Sequence, residues 1–124
     1  MARLQSAVLL LESDEATLNL YRRELGRVYR VIACRNEREA AIHLRSEMVQ
    51  AIVVEPAMFH DGEWSFIAAV RTNPETSRLP IILCSTLDVR RRGAELGVAA
   101  TLLKPVMPQT LVATVTAVME SRAA

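Results

Sequence analysis

No excess of charge marks this sequence: 15 Lys and Arg stand against 14 Asp and Glu, a formal net charge of +1 over 124 residues. Such a balance creates no field that would gather nucleic acid or an anionic membrane, so neither is expected as a partner. Cysteine is scarce too. Cys34 and Cys84 lie far apart, each in or at the end of an apolar run where cysteine behaves as a small buried hydrophobe, and neither a disulfide nor a metal centre is expected. Long apolar runs are also missing. Met1-Ala2-Arg3-Leu4-Gln5 carries one charge, and the apolar stretch behind it breaks at Glu12, too short for a secretory core or a membrane span. A cytoplasmic protein is the expectation. No glycine-rich phosphate loop follows the first apolar run and no nucleophile–base pair is in view, which removes the case for a nucleotide or small-molecule enzyme.

What is present is apolar residue in quantity. At 51% hydrophobic content, 124 residues can bury a continuous core without staples, so one domain over 1–124, with its core at about 7–120, is expected. Ala7 to Leu11 is a short, unbroken apolar run, the pattern of a strand buried on both faces. Ser13 or Asp14 can cap the helix that follows, whose Leu18, Tyr21 and Leu25 recur at spacings of three and four before Gly26. The order then repeats. Tyr29 to Ala33 reads as a second strand, followed by a helix capped by Asn36 and carrying Ala40, Ile42, Leu44 and Met48. Ala51 to Val54 is a third strand, followed past Pro56 and Asp61-Gly62 by a helix from about Trp64 to Arg71, with Trp64, Ile67 and Ala68 on one face. Pro80 introduces a fourth strand at Ile81 to Cys84, and Asp88 to Leu96 forms a helix that stops at Gly97. Thr101 to Leu103 is the fifth strand, and Pro108 opens a last helix through Leu111, Val112, Val115 and Val118.

Five short strands alternating with five helices require crossover connections, hence an α/β fold with a parallel sheet covered on both faces. In such sheets ligands and chemistry sit at the carboxyl ends of the strands, which singles out Glu12 to Asp14, Glu55 to Ala57, Ser85-Thr86 and Lys104-Pro105.

Those four clusters, in that order, with Asp61-Gly62 and Gly97 between them, make the chain resemble the receiver domain of bacterial response regulators. The resemblance implies a five-stranded flavodoxin-like fold with strand order 2-1-3-4-5. It also implies roles: Glu55 at the position of the phosphoacceptor, Ser85 and Lys104 as the groups that hold phosphoryl oxygens, Glu12, Ser13 and Asp14 at the acidic pocket, Thr101 at the switch position. Lys104-Pro105 matches a lysine-proline step that is commonly cis.

Several residues depart from that pattern. Ser13 stands where the family places its main metal-binding carboxylate, and a hydroxyl is a poor ligand for Mg2+; Asp14, one residue on, is expected to cap a helix instead. Glu55 is one methylene longer than Asp and displaced from in-line phosphoryl transfer. It is either a strand-end carboxylate neutralised by Lys104, with Ser85 as a further hydrogen-bond partner, or a built-in imitation of the phosphorylated state. In the loop that follows, Met58 and Phe59 pack at the site edge or mark a contact, and His60 is a surface residue. Thr101 replaces a switching aromatic.

The expectation is therefore a pseudo-receiver of a two-component (phosphorelay) system: not an enzyme, without cofactor, acting through protein partners such as a histidine kinase or an output domain. The face around Arg90, Arg91, Arg92 and Glu95 is the candidate contact, and a homodimer stays open. The alternative is an atypical receiver phosphorylated through an unusual Mg2+ site made of Glu12, Asp14 and Glu55.

Overall fold

The computed structural model describes residues 6–56 and 62–123. Five strands, β1 (Ala7–Leu11), β2 (Arg30–Cys34), β3 (Ala51–Val54), β4 (Ile81–Ser85) and β5 (Ala100–Leu103), alternate with five helices, α1 (Glu15–Leu25), α2 (Glu37–Ser46), α3 (Gly62–Thr72), α4 (Arg90–Glu95) and α5 (Pro108–Ala123). The strands form one sheet in the order β2-β1-β3-β4-β5, and every neighbouring pair is parallel. This is the α/β, flavodoxin-like arrangement expected from the sequence.

Each central strand feeds two cores because its side chains alternate across the sheet. Leu9, Leu11, Ile52, Val54, Ile81 and Leu83 face Ala40 of α2 and Trp64, Phe66, Ile67 and Val70 of α3. On the other side Val8, Leu10, Val53, Ile82 and Cys84 meet Leu18, Tyr21 and Leu25 of α1 and Leu111 and Val115 of α5. Each fully buried Leu or Ile contributes about 1.5–3 kcal/mol, so the sheet is the rigid platform from which the loops project.

Local chemistry shifts some expected boundaries. Tyr29 lies before β2 rather than in it: its N–H donates to Leu25 O and its hydroxyl bonds Thr116, which ties the turn to α5. Asp88 lies before α4, because its carboxylate accepts the Arg90 N–H and holds the chain in a turn. Asp14 and Asn36 cap α1 and α2 as expected, accepting from Thr17 N and Glu39 N. Ile42 and Met48, expected among the apolar positions of the second helix, are exposed, and Met48 lies beyond its end. Residues 57–61, and with them the expectations for Met58, Phe59 and His60, lie outside the described residues.

Gly97 adopts φ +64°, the left-handed conformation that ends α4. Gly93 serves closeness: a Cβ there would come within 2.9 Å of Val98 Cγ2, 3.0 Å of Thr101 Cγ2 and 3.1 Å of Leu83 Cδ1. Val98 and Thr101 are β-branched and stiff, so they cannot turn aside. Gly93→Ala is therefore expected to destabilise the fold by about 1–2 kcal/mol, the overpacking outweighing alanine's better helix propensity. A urea melt no weaker than wild type would show that α4 is not seated this closely on β5.

Candidate functional site

The carboxyl ends of β1, β3 and β5 converge on one lysine. Glu12 follows β1 directly, held by its own N–H to Cys34 O at 3.1 Å. Glu55 follows β3, held by its N–H to Leu11 O at 3.0 Å. Lys104 follows β5, its N–H donating to Ser85 O at 2.7 Å, and its bond to Pro105 is cis. These anchors aim three side chains at one point. Lys104 Nζ lies 2.6 Å from Glu12 Oε1 and 2.7 Å from Glu55 Oε2. The expected Lys104–Glu55 pair is present, and Glu12, which the sequence did not assign to Lys104, is its second partner.

Lys104 is the only lysine in the sequence; the other 14 of the 15 basic residues are arginines. A compact ammonium on an unbranched stem suits a single point shared by two carboxylates, where a planar guanidinium would impose its fork geometry. That lone lysine was a legible signal.

Glu12 is 1% exposed. Burial, and next the neighbouring Glu55 carboxyl, push its pKa up to about 7, against the lowering effect of Lys104. Burial alone would depress the Lys104 ammonium, but hydrogen bonds and charge from Glu12 and Glu55 outweigh it and hold its pKa above the usual lysine value. The Tyr21 ring lies 6.0 Å from Nζ, and its hydroxyl donates to Val106 O, which steadies the segment after Lys104. Burial pushes the Cys84 thiol beneath the site up to about 12, so it stays neutral.

The other expected site residues are nearby but not joined to this trio. Ser85 is buried at the end of β4, but its Oγ accepts from Leu87 N at 3.1 Å and shapes the turn; the expected bond to Glu55 is not formed. Ser13 is exposed. Asp14 turns away to Thr17 N and Oγ1, and those hydrogen bonds lower its pKa. Its backbone N–H alone reaches the site, donating to Glu12 Oε2 at 3.1 Å. Thr101 lines a shallow hollow with Leu87, Val89, Arg90 and Leu103.

This donor set does not fit Mg2+, which needs several hard oxygens in octahedral array. Glu12 and Glu55 are already spanned by an ammonium, Ser13 offers an exposed hydroxyl, and Asp14 is committed to its cap. Among the described residues no group of three or more acidic, histidine or cysteine side chains is placed to hold a metal ion.

The arginine run on α4 divides. Arg90 pairs with Asp88, with Nη2 2.6 Å from Oδ2, in a fully exposed bridge. Arg92 lies 4.1 Å over the Trp64 ring and braces α4 against α3, a stacking the sequence did not reveal. Arg91 and Glu95 line the same cleft as Trp64 and Pro56.

Comparison of the whole chain with solved structures settles the architecture. The chemotaxis protein CheY4 of Vibrio cholerae superposes with a TM-score of 0.84 at 23% identity, covering 92% of this chain and 98% of that one. The fold is that of a receiver domain. A response regulator from Thermotoga maritima gives a TM-score of 0.82 at 21% identity, over 94% of this chain and 99% of its own. The signal receiver domain of a histidine kinase from Syntrophus aciditrophicus gives 0.82 at 21%, over 94% and 91%. No protein-family model and no curated protein sequence matches the chain. On this receiver fold the Glu12–Glu55–Lys104 trio sits where strand ends meet at the order switch between β1 and β3, the place such sheets use for chemistry. No described helix is long and apolar enough to cross a membrane.

Proposed function

We propose that this chain is a receiver-like signalling module of a two-component system that works without an aspartyl phosphate or a metal cofactor, by binding protein partners. The observation that carries this reading is the double contact of Lys104. An ammonium 2.6 and 2.7 Å from two carboxylates already engages the acidic strand ends that a phosphoryl group and its cation would have to use, which supports the reading. Glu55 would need to break that contact before attacking, and its extra methylene displaces its oxygens from an in-line path. The related folds include a chemotaxis response regulator and a receiver domain of a histidine kinase, and this supports a kinase or an output domain as partner. The surface offered to it is the α4 side, with Arg91 and Glu95 exposed and Leu87 and Leu103 beside them, where a second copy of the chain could also dock.

Incubation with acetyl phosphate, with and without millimolar Mg2+, tests the reading by intact mass. The protein is expected to stay unmodified in both. A phosphoryl adduct mapped to Glu55 would instead establish the atypical receiver that uses Glu12, Asp14 and Glu55.

A further inference from the structure

Trp64 of α3, the turn that follows β4 and the arginines of α4 enclose a cleft of about 520 Å³, a volume in the range of small-molecule sites. Its lining is of two chemical kinds. Pro56, Trp64, Leu87 and Val89 are apolar, whereas Arg91 and Arg92 bring two guanidinium groups and Ser85 a hydroxyl.

The three arginines of α4 are not equally committed. Arg90 is taken by Asp88, through Nε at 2.9 Å and Nη2 at 2.6 Å, so the acid nearest the cleft already has its counter-charge. Arg92 lies 4.1 Å over the Trp64 ring, which holds a long, flexible side chain in place but uses only the face of its guanidinium. Among the described residues neither Arg91 nor Arg92 has an acceptor for its N–H groups or an acid within ion-pair distance. Ser85 adds a buried donor. It is 3% exposed and its Oγ accepts from Leu87 N, but among the described residues no acceptor takes its proton. Such a proton is well served by an oxyanion that reaches it. Glu95, exposed as the last residue of α4, is the cleft's remaining acid, so two positive charges face one negative one.

The geometry points to a binding site for a small organic oxyanion in this cleft, its phosphate-like or carboxylate head on Arg91, Arg92 and the Ser85 hydroxyl and its apolar body against Trp64, Leu87 and Val89. Glu95 sets a limit, because it disfavours a second negative group on the ligand. A bound anion links the end of β4 to α4, beside the face proposed for partner contact, and supplies an input without phosphoryl transfer. This goes beyond phosphorylation-independent partner binding and stands separately from it, since the ligand needs neither a partner nor a phosphodonor.

The probe is phenylphosphonate, whose carbon–phosphorus bond cannot donate a phosphoryl group. It is titrated into the full chain near neutral pH at constant ionic strength, so that general screening does not vary. Trp64 is the only tryptophan, so its emission and the backbone amide shifts report the cleft directly. Saturable changes are expected at Trp64, Ser85, Leu87 and Arg91, with half-saturation on the order of 1 mM. Inorganic phosphate, which lacks the body, should need about ten times more. Arg91→Gln, an exposed change that leaves the fold intact, should raise half-saturation about five- to tenfold, and Glu95→Gln should lower it about twofold. The proposal is overturned if phenylphosphonate gives no saturable change, if inorganic phosphate binds equally well, or if Arg91→Gln leaves half-saturation unchanged. Shifts centred on Glu12 and Asp14 would place the anion on Lys104 instead and overturn it too.

Discussion

Lys104→Met is expected to destabilise the protein by about 3 kcal/mol at pH 8 and by only about 1 kcal/mol at pH 5. Methionine keeps most of the stem's volume, so the loss reports the ammonium and not a cavity. Removing one partner of a buried ion pair typically costs about 3–5 kcal/mol; the lower end applies because Glu55 is partly open to water. The pH dependence has a definite sign. Glu12 has a folded pKa raised from 4.5 to about 7, so the folded state holds extra proton in that window and its stability falls as pH rises through it. Without Lys104 the influence that lowers Glu12 is lost, so the variant loses stability more steeply and further above neutrality, whereas near pH 5 a proton on Glu12 replaces part of the missing cation. Because Lys104 has two partners, Glu55→Gln with Lys104→Met should recover only part of the loss at pH 8. Adding Glu12→Gln should recover most of it, since no buried charge then remains. Urea melts of the series at both pH values give the cycle. Equal losses at both pH values, with strictly additive single effects, would show that the three residues are not coupled.

The strands were legible because a parallel strand buried on both faces writes itself as a short apolar run, and Ala7–Leu11, Ala51–Val54 and Ile81–Ser85 are such runs. The strand ends followed, since the residue after each run must lie at one edge of the sheet. Contacts between those ends were less legible. Ser85 could be placed at the edge, but not its choice of the Leu87 N–H over Glu55. The exposed side of α2 was misread for a geometric reason: Ile42 lies two residues from buried Ala40, more than half a turn round the helix, while Leu44 at four residues returns to the core. Arg92 on Trp64, and Arg71 on the chain ends around it, join residues 6 to 28 positions apart. No local pattern announces such pairs; a solvated arginine and a clamping one look alike in sequence.

Arg71 is the larger of these unannounced contacts, and Arg71→Ala is expected to cost about 2–3 kcal/mol. From the end of α3 its Nε donates to Leu96 O at 2.8 Å and Nη2 to Gly97 O at 3.0 Å. Nη1 donates to Leu79 O at 2.8 Å and Ser77 O at 3.2 Å. One guanidinium thus ties the turn after α4 to the segment that enters β4. A hydrogen bond to a charged group contributes about 1.5–3 kcal/mol when its acceptor is shielded, but Ser77 and Gly97 can return to water, so the four together are discounted to the stated range. Arg71→Lys should restore less than half, because an ammonium cannot reproduce the planar fork. Asp88→Ala is the control: the Asp88–Arg90 bridge is fully exposed and its loss should change stability little. Hydrogen exchange should also quicken at Gly97 and Val98 in Arg71→Ala, while the amides of β1 keep their protection. A melt indistinguishable from wild type would show that the four carbonyls are as well served by water. The expected result instead makes Arg71 the residue that seats α4 against the sheet, and with it the orientation of Arg91 and Glu95 on the face proposed for partner contact.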